Sequence, residues 1–224
     1  MSYTFKRVLL PANKHKIKCP YAMTPQYITV HNTANDASAA NEAAYHNRND
    51  NQVSYHVAID DKEAIQCIPF DRNAWHCGDG QGDGNRKSIG IEICYSKSGG
   101  SRYVAAEENA VQYIAKLLHQ YGWGIDRVKQ HYEWSKKNCP HRIRDEKRWG
   151  SFKQRIQDAL NKLKSDKEET PIAKEAYEKD AAPAAWAKEA VEWAKANGVS
   201  DGTYLKRPAT REEVIVMIHN MVNR

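Results

Sequence analysis

The chain has 224 residues, 41% of them apolar and 28% charged, with a mean hydropathy of −0.81; at about 150 residues per domain this is one full domain and something smaller. The composition is polar but foldable, outside the disordered class, and no apolar run approaches the roughly 18 residues of a membrane-spanning helix. The net charge of +6 is uneven: from Ser165 onward 9 basic residues meet 11 acidic ones, leaving 25 against 17 in residues 1–164, so the N-terminal part is the one drawn to a polyanion.

Near the N-terminus the apolar residues Val8-Leu9-Leu10 are stopped by Pro11, too short a run for the apolar core of a secretory signal. Cys19, Cys67, Cys77, Cys94 and Cys139 are odd in number and scattered, which reads as reduced thiols made in a cytoplasm. Gln26–His31 is β-branched and aromatic, a strand; Ser38 to Asn47 fits a helix. Val53–Ile59 and Ile65–Ile68, separated by Asp60-Asp61-Lys62-Glu63, predict a hairpin. Residues 71–87 hold Gly78, Gly80, Gly82 and Gly84 and read as a loop. Ser88–Cys94 alternates with period two, placing Ile89, Ile91 and Ile93 on one face and Glu92 on the other. Helical spacing returns over Ala105–Tyr121 and Asp145–Leu163. Strands alternating with helices predict an α/β domain.

Residues 165–180 are dense in charge and read as a linker, either helical or free. The tail, 181–224, predicts two helices. The first starts at Pro183, with Trp186, Ala190, Trp193 and Ala194 on one face, and ends at Gly198. In the second, Thr210 and Glu213 have capping-box spacing ahead of Val214, Ile215, Ile218 and Met221. The expected domains are therefore 1–164, a charged linker at 165–180, and a small helical module at 181–224.

His31 closes a strand, and His131 and Cys139 lie eight residues apart. Two imidazoles and a thiolate are three good zinc ligands, leaving a fourth position open, the pattern of a catalytic site; each residue alone also reads as an ordinary buried polar group or thiol. Glu92 can take a proton from water at such a metal or be a solvent-facing strand residue. Lys137 can face a developing oxyanion or be a plain surface lysine. Tyr55 can hydrogen-bond a carbonyl at the metal or belong to the core. Trp75 and His76, in the Gly-rich loop, suit contact with a glycan or peptide. His15, His46, His119 and His219 have no motif context and read as surface or helix-face residues, and Cys77 and Cys94 as buried thiols.

The segments Thr-Val-His31-Asn32-Thr, Ser-Tyr55-His56-Val, Ala-Trp75-His76-Cys-Gly-Asp, Ser-Ile-Gly-Ile-Glu92, and His131 with Ser-Lys-Lys137-Asn-Cys139-Pro together resemble the phage-type N-acetylmuramoyl-L-alanine amidases, which share a fold with peptidoglycan recognition proteins. The resemblance covers about residues 5–160 and keeps the family's motif order. It implies a mixed central sheet flanked by helices, with one zinc ion per chain on His31, His131 and Cys139. Functional roles fall on Glu92, Lys137 and Tyr55, and substrate contacts on Trp75, His76 and Asn32. The implied reaction is hydrolysis, by a zinc-activated water, of the amide joining N-acetylmuramic acid to L-alanine in Gram-positive peptidoglycan. A non-catalytic peptidoglycan-binding protein is the alternative, and Cys139, which such relatives typically lack, weighs against it.

The tail is similar to a single surface-layer homology motif, which implies an anionic secondary wall polymer as ligand, with Arg211 and Trp186 as candidate contacts; a helical hairpin that merely stabilises the catalytic domain is the bland alternative. A monomer or weak dimer is expected, with no nucleic-acid or membrane partner. The implied setting is an endolysin of a phage or prophage, held in the host cytoplasm until a permeabilising protein releases it to the wall.

Overall fold

Alternation along two neighbouring strands builds the domain. The computed structural model describes residues 3–168 and 182–200. In chain order they contain β1 (Thr4–Arg7), α1 (His15–Lys18), β2 (Tyr27–Asn32), α2 (Ala39–Arg48), β3 (Val57–Ile59), β4 (Glu63–Gln66), α3 (Asp83–Lys87), β5 (Ser88–Ile93), α4 (Gly100–Tyr121), β6 (Val128–Gln130), α5 (His131–Ser135), α6 (His141–Asp145), α7 (Trp149–Glu168) and α8 (Lys188–Ala196). Six strands form one mixed sheet in the order β1-β4-β3-β5-β2-β6, in which only the β3–β4 hairpin is antiparallel. This is the mixed sheet flanked by helices that the sequence implies.

β2 and β5 are central and parallel, with Ile28 opposite Ile89, Val30 opposite Ile91, and His31 opposite Glu92. Side chains alternate between faces, so Ile28, Val30, Ile89, Ile91 and Ile93 share one face and are fully buried. α4 belongs to that apolar side: its Tyr103 meets Asn32, on the same face, through the hydroxyl, and Ala106, Ala110, Ile114 and Leu118 join the core with Phe152 and Ile156 of α7. The opposite face carries Thr29, His31, Ser88, Gly90 and Glu92. The same register that hides the isoleucines therefore assembles the polar row.

A buried ion cluster ties α4 to the last helices. Glu107, only 3% exposed, accepts from Arg148 at 2.8 and 3.1 Å and from Arg155 at 2.6 Å. Burial pushes its carboxyl up, but the hydrogen bonds from the two arginines outweigh it and hold the group below its ordinary 4.5. Glu107→Gln is expected to cost about 2–3 kcal/mol, less than the roughly 3–5 kcal/mol of a fully buried pair, because both arginine side chains remain about a third exposed. The contribution of a depressed carboxyl is present above its unfolded value and disappears as pH falls through the folded one. Urea titrations across pH 3–7 should accordingly show the wild-type advantage at neutral pH and its loss in acid.

Several boundaries differ from expectation. The helix expected over Asp145–Leu163 is α7 and starts only at Trp149, because α6 ends at Asp145, Lys147 takes a left-handed φ of 56° and Arg148 N–H turns back to the Ile143 carbonyl. The loop 71–87 contains α3, because the Asp79 carboxylate accepts from the N–H groups of Gly84 and Asn85 and closes that turn. The chain separates into two units, Met1–Lys167 and Glu168–Arg224. In the second, a 3-10 turn at Ala185–Ala187 leads into α8, with Trp186 89% exposed and Trp193 52% exposed. The second expected tail helix, Arg211, His219 and most of the linker lie outside the described residues.

Candidate functional site

Three segments converge on the polar face of β2. β2 delivers His31. β6 ends at Gln130, whose side chain and that of Glu133 form a capping box; α5 thus starts at once, with His131 as its first residue, buried against the sheet. α5 stops at Lys136, which adopts a left-handed φ of 63°, and the chain folds back so that Tyr132 N–H donates to the Cys139 carbonyl at 3.1 Å. Asn32 fixes the return: its Oδ1 accepts from Arg142 N–H at 3.0 Å, holding the start of α6, and with it Cys139, beside His31. Asn32, implied as a substrate contact, thus spends its acceptor on the scaffold while still bordering the cleft.

His31 Nδ1 lies 3.1 Å from His131 Nδ1 and 3.6 Å from Cys139 Sγ, and the three donor atoms all fall within 4.8 Å of one another. A four-coordinate ion held by imidazoles at about 2.0–2.1 Å and a thiolate at about 2.3 Å separates its donors by roughly 3.3 and 3.6 Å. The set fits such an ion. Protonation suits it also. Burial, then the neighbouring His76 and His131, pushes His31 well below its ordinary 6.5, and burial with Lys137 takes His131 down to about 4, so both rings are neutral at pH 7. The Cys139 thiol is pushed up to about 12, chiefly by burial and by Glu92; a cation is what draws its proton off.

Glu92 stands one strand from His31 on the same face. The residue as a whole is partly covered, but its Oε2 is shut off from water and meets no donor. Burial and Glu42 raise it to about 8, against the pull of Lys137. A carboxyl without a protein partner, facing a cleft, is suited to exchange a proton with a bound molecule.

Two clefts meet over this centre. One, of 470 Å³, is bordered by His46, Tyr55, Glu92, Asn138 and Cys139; the other, of 490 Å³, by Trp75, His76, Gln81, Asn85 and His131. Val53 and Lys137 border both, so the exposed Lys137 stands where they join. Tyr55 is 7% exposed with an unpartnered hydroxyl, and burial raises it well above 10. Trp75 is half-buried, held by its indole N–H on the Ile17 carbonyl at 3.1 Å and edge-on to Tyr21. His76 is 7% exposed. It borders the second cleft, yet both its ring nitrogens are engaged, Nδ1 with His31 at 2.9 Å and Nε2 with the Ser88 carbonyl at 3.2 Å.

His46, expected on a surface or a helix face, lies on a helix face, the buried one of α2, and is 2% exposed. It lies against Tyr55 with ring centroids 4.7 Å apart, and its Nε2 has no partner. The signal was present in the helical spacing of Ala39, Ala43 and His46, which are the buried face of α2. Cys77 and Cys94 are fully buried thiols.

Comparison with known proteins agrees with the geometry. Residues 21–142 match the family model described as N-acetylmuramoyl-L-alanine amidase. The chain is similar to the N-acetylmuramoyl-L-alanine amidases XlyB and CwlA of Bacillus subtilis (strain 168). For XlyB the identity is 57%, over 72% of this chain and 51% of the relative; for CwlA it is 55%, over 74% and 62%. The chain therefore spans between half and two thirds of the length of these relatives. The solved structure of PlyL superposes with a TM-score of 0.67 at 55% identity, covering 70% of this chain and 98% of that one. Ligand-like histidines and a cysteine on the polar face of a mixed sheet, and a match over more than half of the chain, place this protein in the N-acetylmuramoyl-L-alanine amidase family.

Proposed function

We propose that the chain hydrolyses the amide between N-acetylmuramic acid and L-alanine of peptidoglycan, at one zinc ion held by His31, His131 and Cys139. The observation that carries this is the juxtaposition of a metal-fitting His-His-Cys set with an unpartnered Glu92 carboxyl where two clefts meet. Bound zinc supplies Lewis acidity and brings the pKa of water toward neutrality. Glu92 in its carboxylate form takes the proton from the attacking water and returns it to the departing alanine nitrogen, so the leaving group is an amine and the acid product keeps the lactyl carboxylate. Lys137 offers an ammonium to the carbonyl oxygen as it gains charge, and Tyr55 a hydroxyl to the same region. The two clefts would receive the two arms of the substrate, with Trp75 presenting an aromatic plane to a sugar face.

The biological setting supported by this reading is that of an endolysin stored in the host cytoplasm and acting on the wall once released. The module after the linker, residues 181–224, would retain the enzyme on an anionic wall polymer through Arg211 and the exposed Trp186. Mass spectrometry of a Gram-positive peptidoglycan digest tests the bond. The expected products are free stem peptides beginning with L-alanine and intact glycan strands. New reducing sugar ends would mean a different hydrolase, and tight wall binding with no products a recognition protein.

A further inference from the structure

Among the described residues, two donor sets share His31: His31–His131–Cys139 and, on the other side of its ring, His31–His76–Cys77. They use opposite nitrogens of the His31 ring, Nδ1 for the first and Nε2 for the contact with His76. A neutral imidazole has one lone pair to give, so the two sets compete for it.

The backbone decides between them. The Ser88 carbonyl, 3.2 Å from His76 Nε2, can only accept, so the His76 proton sits on Nε2 and its Nδ1 is an acceptor. His31 Nε2, 2.9 Å from that Nδ1, must then be the donor, which leaves the lone pair of His31 on Nδ1, toward His131 and Cys139. The second set is also too tight at sulfur. Cys77 Sγ is 3.1 Å from His76 Nδ1, well short of the roughly 3.6 Å at which one ion holds a nitrogen and a sulfur, whereas Cys139 Sγ stands 3.6 Å from His31 Nδ1. The His76 ring is fixed in place. Its backbone N–H donates to Asn85 Oδ1 at 2.8 Å, and it lies over Gly90, where a Cβ would come within 2.8 Å of the ring.

We propose that His76 is a positioning residue of the metal centre: relayed from the Ser88 carbonyl, its hydrogen bond fixes His31 as the Nε2–H tautomer, directs the metal to Nδ1, and closes the His31–His76–Cys77 set to metal. This rests on the metal reading of the preceding subsection. Hydrogen-bonded partners of this kind raise ligand basicity, and their loss costs about 10–100-fold in metal affinity.

The test is zinc affinity by competition with a chromophoric chelator on the full chain, with nitrogen-15 NMR of the histidine rings of the metal-stripped protein. In the unmodified chain His31 should carry its proton on Nε2. His76→Phe, which fills the space without an acceptor, should weaken zinc by about 10–100-fold. His76→Asn, whose Oδ1 stands close to the lost Nδ1, should recover most of the affinity, and Cys77→Ser should bind as the wild type. A His31 proton on Nδ1, unchanged affinity in His76→Phe, or a Cys77→Ser loss matching that of Cys139→Ala would each overturn the proposal. The NMR result stands on the unmodified chain even where a variant does not fold. Wild-type protein that binds no zinc would remove the metal reading itself, a different outcome from a wild type that binds while His76→Phe binds equally well.

Discussion

Glu92→Gln is expected to lower peptidoglycan hydrolysis by about two to four orders of magnitude, the range for loss of a positioned general base, while the protein still folds and binds its metal. The reason lies in the separation of tasks on the polar face. Glu92 is opposite His31 across the β2–β5 ladder, but its Oε2 meets no protein donor, so removing its charge breaks no bond that holds the fold. Initial rates of muropeptide release, with zinc content measured on the same preparations, check this. A variant retaining wild-type rates would exclude Glu92 from proton transfer.

The same residue makes a pH prediction for the metal-free protein. Its folded-state value of about 8 lies above the ordinary 4.5, mainly because burial disfavours the charged form. The folded chain therefore binds the proton more tightly than the unfolded chain. The stability this confers is fully present below 4.5 and is lost as pH rises through about 8. Chelated wild type should lose stability relative to Glu92→Gln over that interval, and the two should run parallel below it. A bound cation opposes the effect by favouring the carboxylate.

Cys139→Ala and His31→Ala carry the second large effect. Each removes one of the three proposed donors, so zinc should bind more than about 100-fold more weakly, beyond the loss typical of an outer hydrogen-bonding partner. Activity and metal content should fall together. Stability supplies an independent reading: an ion at about 1,000 times its Kd stabilises the folded state by about 4 kcal/mol, and that increment should be present in wild type and absent in both variants. Glu92→Gln should keep it. Metal content of one per chain in Cys139→Ala would rule out the ligand set.

The central strands were legible because their chemistry is written in period two. Ile89, Ile91 and Ile93 alternate with Gly90 and Glu92, and a strand with one apolar face has only one register that buries it. β1 and β6 left no such trace. Thr4–Arg7 pairs with β4 at the sheet edge with all four residues exposed, and Val128–Gln130 is three residues long, so tertiary pairing rather than pattern makes them strands. His31, His131 and Cys139 were recognisable as donor types, but that they meet depends on a non-local return held by Asn32 and Arg142. His76 shows the limit most clearly. In a stretch with four glycines it reads as a contact for a glycan or peptide, and nothing in the sequence shows that Asn85 and Ser88 also bind it from the next turn and strand and turn it toward His31.

The most direct measurement is a zinc titration of the chelator-stripped protein, following release of L-alanine-terminated stem peptides from peptidoglycan by mass spectrometry. Activity should be absent after stripping, return in proportion to added zinc, and reach a plateau at one ion per chain, with Cys139→Ala unresponsive. Full cleavage by the stripped protein, or restored cleavage at any other bond, would contradict a zinc amidase centred on His31, His131 and Cys139.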